Sequence, residues 1–195
     1  MRRLSAALLL AALLLTACSR APQLHQREAF VFGTRVEVSV WGESADKAAQ
    51  ALAAVLAEFD RLHRLLHAWQ PSELTTLNDA IARGEGNIAV SAELTFLLKD
   101  AADIAARSDQ LFNPAIGRLV ALWGFHSDEF RPQLPDMAAV EAVAKARPSM
   151  SDLTITDNSV SSRNRAVQLD LGGYAKGYAL DRAAALLKGM GVHNA

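Results

Sequence analysis

Leu169-Asp170-Leu171-Gly172-Gly173-Tyr174-Ala175-Lys176-Gly177-Tyr178-Ala179-Leu180-Asp181, close to the end of the sequence, constrains the fold more than any other stretch. Before it, Ala166-Val167-Gln168-Leu169-Asp170-Leu171 alternates small or apolar with polar residues, as a strand does. After it, Tyr178, Ala179, Ala183, Leu186, Leu187 and Met190 recur at helical spacing. The predicted unit is strand, tight glycine turn, helix. The first turn of a helix leaves backbone N–H groups without partners and carries the positive end of the macrodipole, so an anion is welcome there. Gly172 and Gly173 lack a Cβ, which lets a phosphate or a metal approach the main chain. Asp170 adds a carboxylate and Lys176 an ammonium one helical turn on. The stretch is not a P-loop, because Lys176 is followed by Gly177 rather than Ser or Thr and the glycine spacing differs. On spacing alone it reads equally well as a plain tight loop beside a surface carboxylate and a solvated lysine, since short motifs also arise by chance.

The motif L-D-L-G-G-Y-A-K-G-Y-A-L-D resembles the hallmark of the ApbE family, the FAD:protein FMN transferases. Asn113-Pro114-Ala115-Ile116-Gly117-Arg118-Leu119-Val120, followed by Leu122-Trp123-Gly124-Phe125, resembles that family's second signature. Pro71-Ser72-Glu73-Leu74 through Leu77-Asn78 resembles its third, and Phe32-Gly33-Thr34 the early motif that usually reads Met-Gly-Thr. The motifs run in family order over nearly all of the chain after the N-terminal segment. The resemblance implies an α+β fold, a mixed sheet with packed helices in a T-fold-like domain that is incomplete at the C-terminus.

It also implies a site. Asp170 and Lys176 correspond to FAD contacts, and the main-chain carbonyl of Gly173 to a Mg²⁺ ligand. Phe32, through its backbone, with Trp69, Leu111, Phe112 and Asn113, lines the flavin's other side. Asn113 stands where the family commonly has Asp, which keeps a hydrogen-bond acceptor and loses the charge. The implied reaction cleaves the FAD pyrophosphate, transfers FMN to a Thr or Ser hydroxyl of an acceptor flavoprotein subunit and releases AMP; no catalytic residue is assigned. Family members continue past the counterpart of Ala195 into a further half with a Gly-Gly-Asp stretch, a His and an Asp-and-Thr metal site. A single carbonyl cannot hold Mg²⁺, which prefers an octahedral shell of oxygens. This sequence is therefore expected to be a fragment with little or no transferase activity alone. The alternatives are a non-catalytic FAD-binding periplasmic lipoprotein and a structural envelope lipoprotein without a cofactor.

Residues 1–18 read as a lipoprotein signal segment. Arg2 and Arg3 form its positive start, Leu4 to Leu15 is an apolar run too short to span a bilayer comfortably, and Leu15-Thr16-Ala17-Cys18 has the form of a bacterial lipobox. Cys18 is the only cysteine, so thioether lipidation rather than an internal disulfide is its expected use. A tether over 19–28 and the ApbE-like domain over 29–195 complete the expected organisation. The acyl chains would hold the mature chain on the periplasmic face of a bacterial membrane. Ser19 is not the Asp that inner-membrane retention usually needs, which leaves the choice of membrane open. The net charge of -1, from 20 basic and 21 acidic residues, argues against a nucleic-acid partner, and any phosphate must be bound locally.

Along the chain, Arg27 to Trp41 predicts a strand interrupted at Gly33, by a bulge or a close backbone approach. Ser44 caps a helix to about Leu66. His63 and His67 have the spacing of two metal ligands, but with no HExxH companion they are expected as helix-edge residues. Trp69, before a Pro-led turn, reads as a core or cover residue by composition and, through the resemblance, as a flat face beside the flavin. Ser72 caps the turn leading to Leu77-Asn78. Ser91 opens a helix to about Ser108, and Pro114 keeps Asn113 out of helical angles, so Leu111 to Gly117 is a loop. A short helix and turn over Leu119 to Phe125, a surface loop over Ser127 to Pro135, and a helix from Asp136 to about Ala146 follow. Leu153 to Thr156 and Ser159 to Ser162 are predicted as short strands.

Overall fold

Leu24–Val31 (β1) and Thr34–Trp41 (β2) form an antiparallel hairpin, with Leu24 opposite Trp41 and Val31 opposite Thr34. The computed structural model describes residues 22–127, 129 and 134–195, so the signal segment predicted over 1–18 and most of the surface loop after Ser127 lie outside the described residues. Phe32 and Gly33, between the strands, both have positive φ, 55° and 68°. That is the backbone of a type I′ turn, whose twist matches the twist of the strands it joins. Gly33 is thus a turn residue rather than a bulge in one long strand. The hairpin also corrects the tether: Leu24 to Glu28 pair with Trp41 to Glu37. Their polar side chains hid this, because the pairing is made by the main chain and most of β1 faces solvent.

Ala45–Leu66 (α1) begins at Ser44, whose hydroxyl accepts the Lys47 N–H. Its apolar stripe, Ala48, Leu52, Val55, Phe59, Leu62 and Leu66, is buried. The stripe packs under the hairpin and against the last helix, Gly172–Gly189 (α6), through Ala179, Ala183 and Leu187. A second cluster is built on Glu73–Arg83 (α2) and Ala92–Arg107 (α3), with Leu74, Leu77, Ile81, Leu94, Leu97 and Leu98 at or near zero exposure. α3 starts at Ser91 as its sequence predicts. α2 is a helix of 11 residues where only a turn was expected. A reciprocal cap between Ser72 and Thr75 nucleates it, a box in which Thr replaces the usual Glu or Gln.

Ile88–Ala89 (β3), Leu153–Ile155 (β4) and Ser159–Ser162 (β5) form an antiparallel sheet in the order β3-β5-β4. Gly117–Leu122 (α4) and Met137–Ala146 (α5), the latter capped by Asp136, complete the α-helices among the described residues. The architecture is α+β. Parallel pairing among the described residues is confined to one bridge, Ile116 to Gln168. Val167, Leu169 and Leu171 alternate into the core as the sequence predicts, but their segment pairs with a loop instead of joining a sheet. The Asp170 N–H donates to the Pro114 carbonyl, the Gln168 N–H to the Ala115 carbonyl, and the Gly117 N–H to the Gln168 carbonyl. The ladder cannot lengthen, because Pro114 has no N–H to return and α4 begins at Gly117. A further difference lies at the glycine pair, which forms the first turn of α6 rather than a turn ahead of it.

Candidate functional site

The hairpin turn, the end of α1 with the segment after it, the loop before α4 and the start of α6 surround a cavity of about 910 Å³. Phe32, Trp69, Leu111, Phe112, Asn113, Asp170, Gly173 and Lys176 all line it, so every predicted site residue within the described chain meets in one volume. Cys18 lies outside the described residues. A second, more polar cavity of about 530 Å³ adjoins the first and shares Ala68, Trp69 and Gln70 with it.

Asp170 is placed from behind. The buried amide of Asn78, on α2, donates to the Leu169 carbonyl at 2.9 Å and accepts the Leu169 N–H at 2.7 Å. This sets the backbone one residue before Asp170 and uses the Asn that closes the third motif. One Asp170 oxygen accepts the Gly172 N–H at 2.8 Å; the other lies 2.8 Å from Nε2 of His126. Burial pushes the Asp170 carboxyl up, but the His126 hydrogen bond, the Gly172 N–H and the His126 charge outweigh it and hold the group below the usual carboxylate range. His126 was not foreseen. It directly follows the Trp123-Gly124-Phe125 signature, but nothing local in the sequence pairs it with Asp170.

Lys176 is exposed, lines the cavity and enters no ion pair among the described residues. At the α6 N-terminus beside it, the N-cap residue Leu171 makes no side-chain cap, and the Asp170 carboxylate takes the first N–H, that of Gly172. Trp69 stacks on His126, with centroids 5.3 Å apart and planes at 23°, and meets the edge of His67 at 4.5 Å. His67 is buried, and its Nδ1 accepts the Gln70 N–H at 3.0 Å, which fixes the chain leading to α2. His63 and His67 face each other at 4.8 Å, and both line the cavity. Among the described residues, no three His, Cys, Asp or Glu gather in a metal-binding group.

Two predicted residues carry structural work as well. The Phe32 ring packs edge-on against Phe59 and His63 of α1, anchoring the hairpin turn at the cavity rim. The Asn113 amide donates to the Pro148 carbonyl at 2.9 Å and accepts the Ala115 N–H at 3.1 Å. An Asp at this position could keep the second bond but not the first, so Asn is the residue that ties the loop to the segment after α5.

The family model described as the ApbE family matches residues 32–195, and this chain belongs to that family. The Rhodobacter capsulatus FAD:protein FMN transferase is 45% identical over 166 residues, covering 85% of this chain and 32% of that one. A Klebsiella pneumoniae FAD:protein FMN transferase is 32% identical, over 96% of this chain and 56% of its own. Among solved structures, the Thermotoga maritima ApbE protein superposes with a TM-score of 0.75 at 28% identity, over 86% of this chain and 53% of that one. The flavin transferase ApbE of Vibrio cholerae has the same fold, with a TM-score of 0.75 at 22% identity. The chain thus spans between 32% and 56% of the length of these curated relatives.

Proposed function

We propose that this chain supplies the FAD-binding part of an FAD:protein FMN transferase. The acceptor's Thr or Ser hydroxyl oxygen attacks the FMN-side phosphorus of FAD. The bond from that phosphorus to the bridging oxygen breaks, AMP departs with the oxygen, and the hydroxyl proton is released to a base that we do not assign. One observation carries the reading: residues of the early motif, the second signature and the hallmark, from Phe32 to Lys176, line a single cavity together with Trp69, just ahead of the third motif. Its chemistry suits both parts of the substrate. Trp69 and Phe112 offer flat apolar surface to a ring system. Lys176 and the first turn of α6 offer positive charge to a pyrophosphate, whose oxygens gain charge under attack.

A divalent cation would add Lewis-acid stabilisation of the same phosphates. The described residues do not by themselves fit one: Gly173 offers a single main-chain carbonyl, and no carboxylate group completes an octahedral oxygen shell. In this reading the remaining Mg²⁺ ligands come from sequence beyond residue 195, and residues 1–195 alone bind FAD but transfer little. We further infer that Cys18 carries a lipid that holds the chain at the periplasmic face of a bacterial membrane. No helix among the described residues is long and apolar enough to cross one.

The test is to incubate this chain, and a version extended through the downstream reading frame, with FAD, Mg²⁺ and a peptide bearing an acceptor Thr, and to weigh the peptide by mass spectrometry. FMN addition by the extended version alone is the expected result. Addition by the short chain would show that the metal site is complete without the extension. Retention of FAD by both without transfer would replace the enzyme reading with a carrier.

A further inference from the structure

We propose that His126 is a positioning residue for the flavin site: one imidazole clamps Asp170 through Nε2 and braces Trp69 with its ring. The inference rests on the flavin-binding reading above. Asp170 is held in its ionised form and can only accept, so the proton between the two groups belongs to Nε2. That bond fixes the direction of the ring. The His126 side chain is only 7% exposed, which removes competing water from the contact. The ring orientation so fixed is the one on which Trp69 stacks, at 5.3 Å and 23°. Trp69 and Asp170 come from different motifs, and no direct contact between them is needed to coordinate them, because each touches the same imidazole. The remaining constraints are independent of His126: Gly172 holds the second Asp170 oxygen, and His67 meets the edge of the indole.

Two substitutions separate the two halves of this role. His126→Phe keeps a ring under Trp69 and loses the donor to Asp170; His126→Gln keeps a donor and loses the ring. FAD affinity is read by quenching of flavin fluorescence, with folding checked by far-UV circular dichroism. The expected result is a loss of about tenfold or more for His126→Phe, the size of a charge-assisted hydrogen bond, and a smaller loss for His126→Gln. Asp170→Asn should then cost less in the His126→Phe variant than in the unsubstituted chain, because coupled residues are not additive. A merely structural histidine would lower the unfolding midpoint and leave affinity and coupling unchanged. Equal affinities in folded variants, or additive losses, overturn the proposal. If His126→Phe does not fold, a His126→Leu cycle with Asp170→Asn, which also removes the donor, decides by the same criterion. Failure of the unsubstituted chain to bind FAD removes the flavin reading and this inference together, whereas binding that ignores His126 removes this inference alone.

Discussion

Asn78 shows how one buried side chain can set a site it does not enter. Its amide saturates both main-chain groups of Leu169, a residue with no exposure. Asn78→Ala would leave a buried N–H and a buried carbonyl without partners, and we expect a loss of about 2–4 kcal/mol in urea unfolding. Lys176 predicts the opposite pattern. It is exposed and enters no ion pair among the described residues, so Lys176→Ala should leave the unfolding midpoint unchanged while weakening FAD binding about tenfold in a fluorescence titration. At this scale Asp170 and Lys176 were legible because they share one short stretch with the glycine pair. His126 was not, because its partner is 44 residues away and no local pattern marks the pair.

The helices were legible where their ends are marked. Ser44, Ser91 and Asp136 each accept an N–H from the first turn of the helix that follows, and a periodic apolar face runs on from the first two. α2 escaped because Pro71-Ser72 reads as a turn. The element that could least be foreseen is the pairing of 168–170 with 114–117, for which alternation announces a strand but not its partner. Gly117 is the point of closest approach: a Cβ there would stand 2.7 Å from the Gln168 carbonyl oxygen and 3.2 Å from the Asp170 Cβ. Both are fixed by backbone, so Gly117→Ala should destabilise by about 1–3 kcal/mol. It should also speed hydrogen exchange at the Asp170 amide, measurable by NMR, and weaken FAD binding by moving the Phe112 loop.

Across the molecule, an ionic network fastens the helices that carry the two core clusters. Glu58 of α1 accepts from Arg61 at 2.9 and 3.0 Å and from Arg182 of α6 at 3.0 Å, while Arg61 also grips Glu93 of α3 at 2.6 and 2.8 Å. The Arg61 hydrogen bonds outweigh burial and, with Arg182, hold the Glu58 carboxyl at about 2, down from 4.5. A carboxyl lowered on folding stabilises above its unfolded value, so this contribution is complete above about pH 5 and is lost as pH falls from 4.5 toward 2. Because both arginines are about half exposed, solvent screening limits it to about 1 kcal/mol. Glu58→Gln should therefore be less stable than the unsubstituted chain at pH 7 in urea unfolding, with the gap closing by about pH 2.

What the sequence determined by itself is local. Caps, periodicity and the glycine-led start of α6 depend on hydrogen bonds and side-chain spacing within a few residues, and the family motifs name the residues of the site. Only the tertiary structure decided that those residues share a cavity, that Leu24 to Glu28 close a hairpin, that Asn113 ties down its own loop and that His126 meets Asp170. Such contacts join positions far apart in the chain. They form only when the two core clusters bring the helices into one packing, and no spacing rule within a segment encodes that closure.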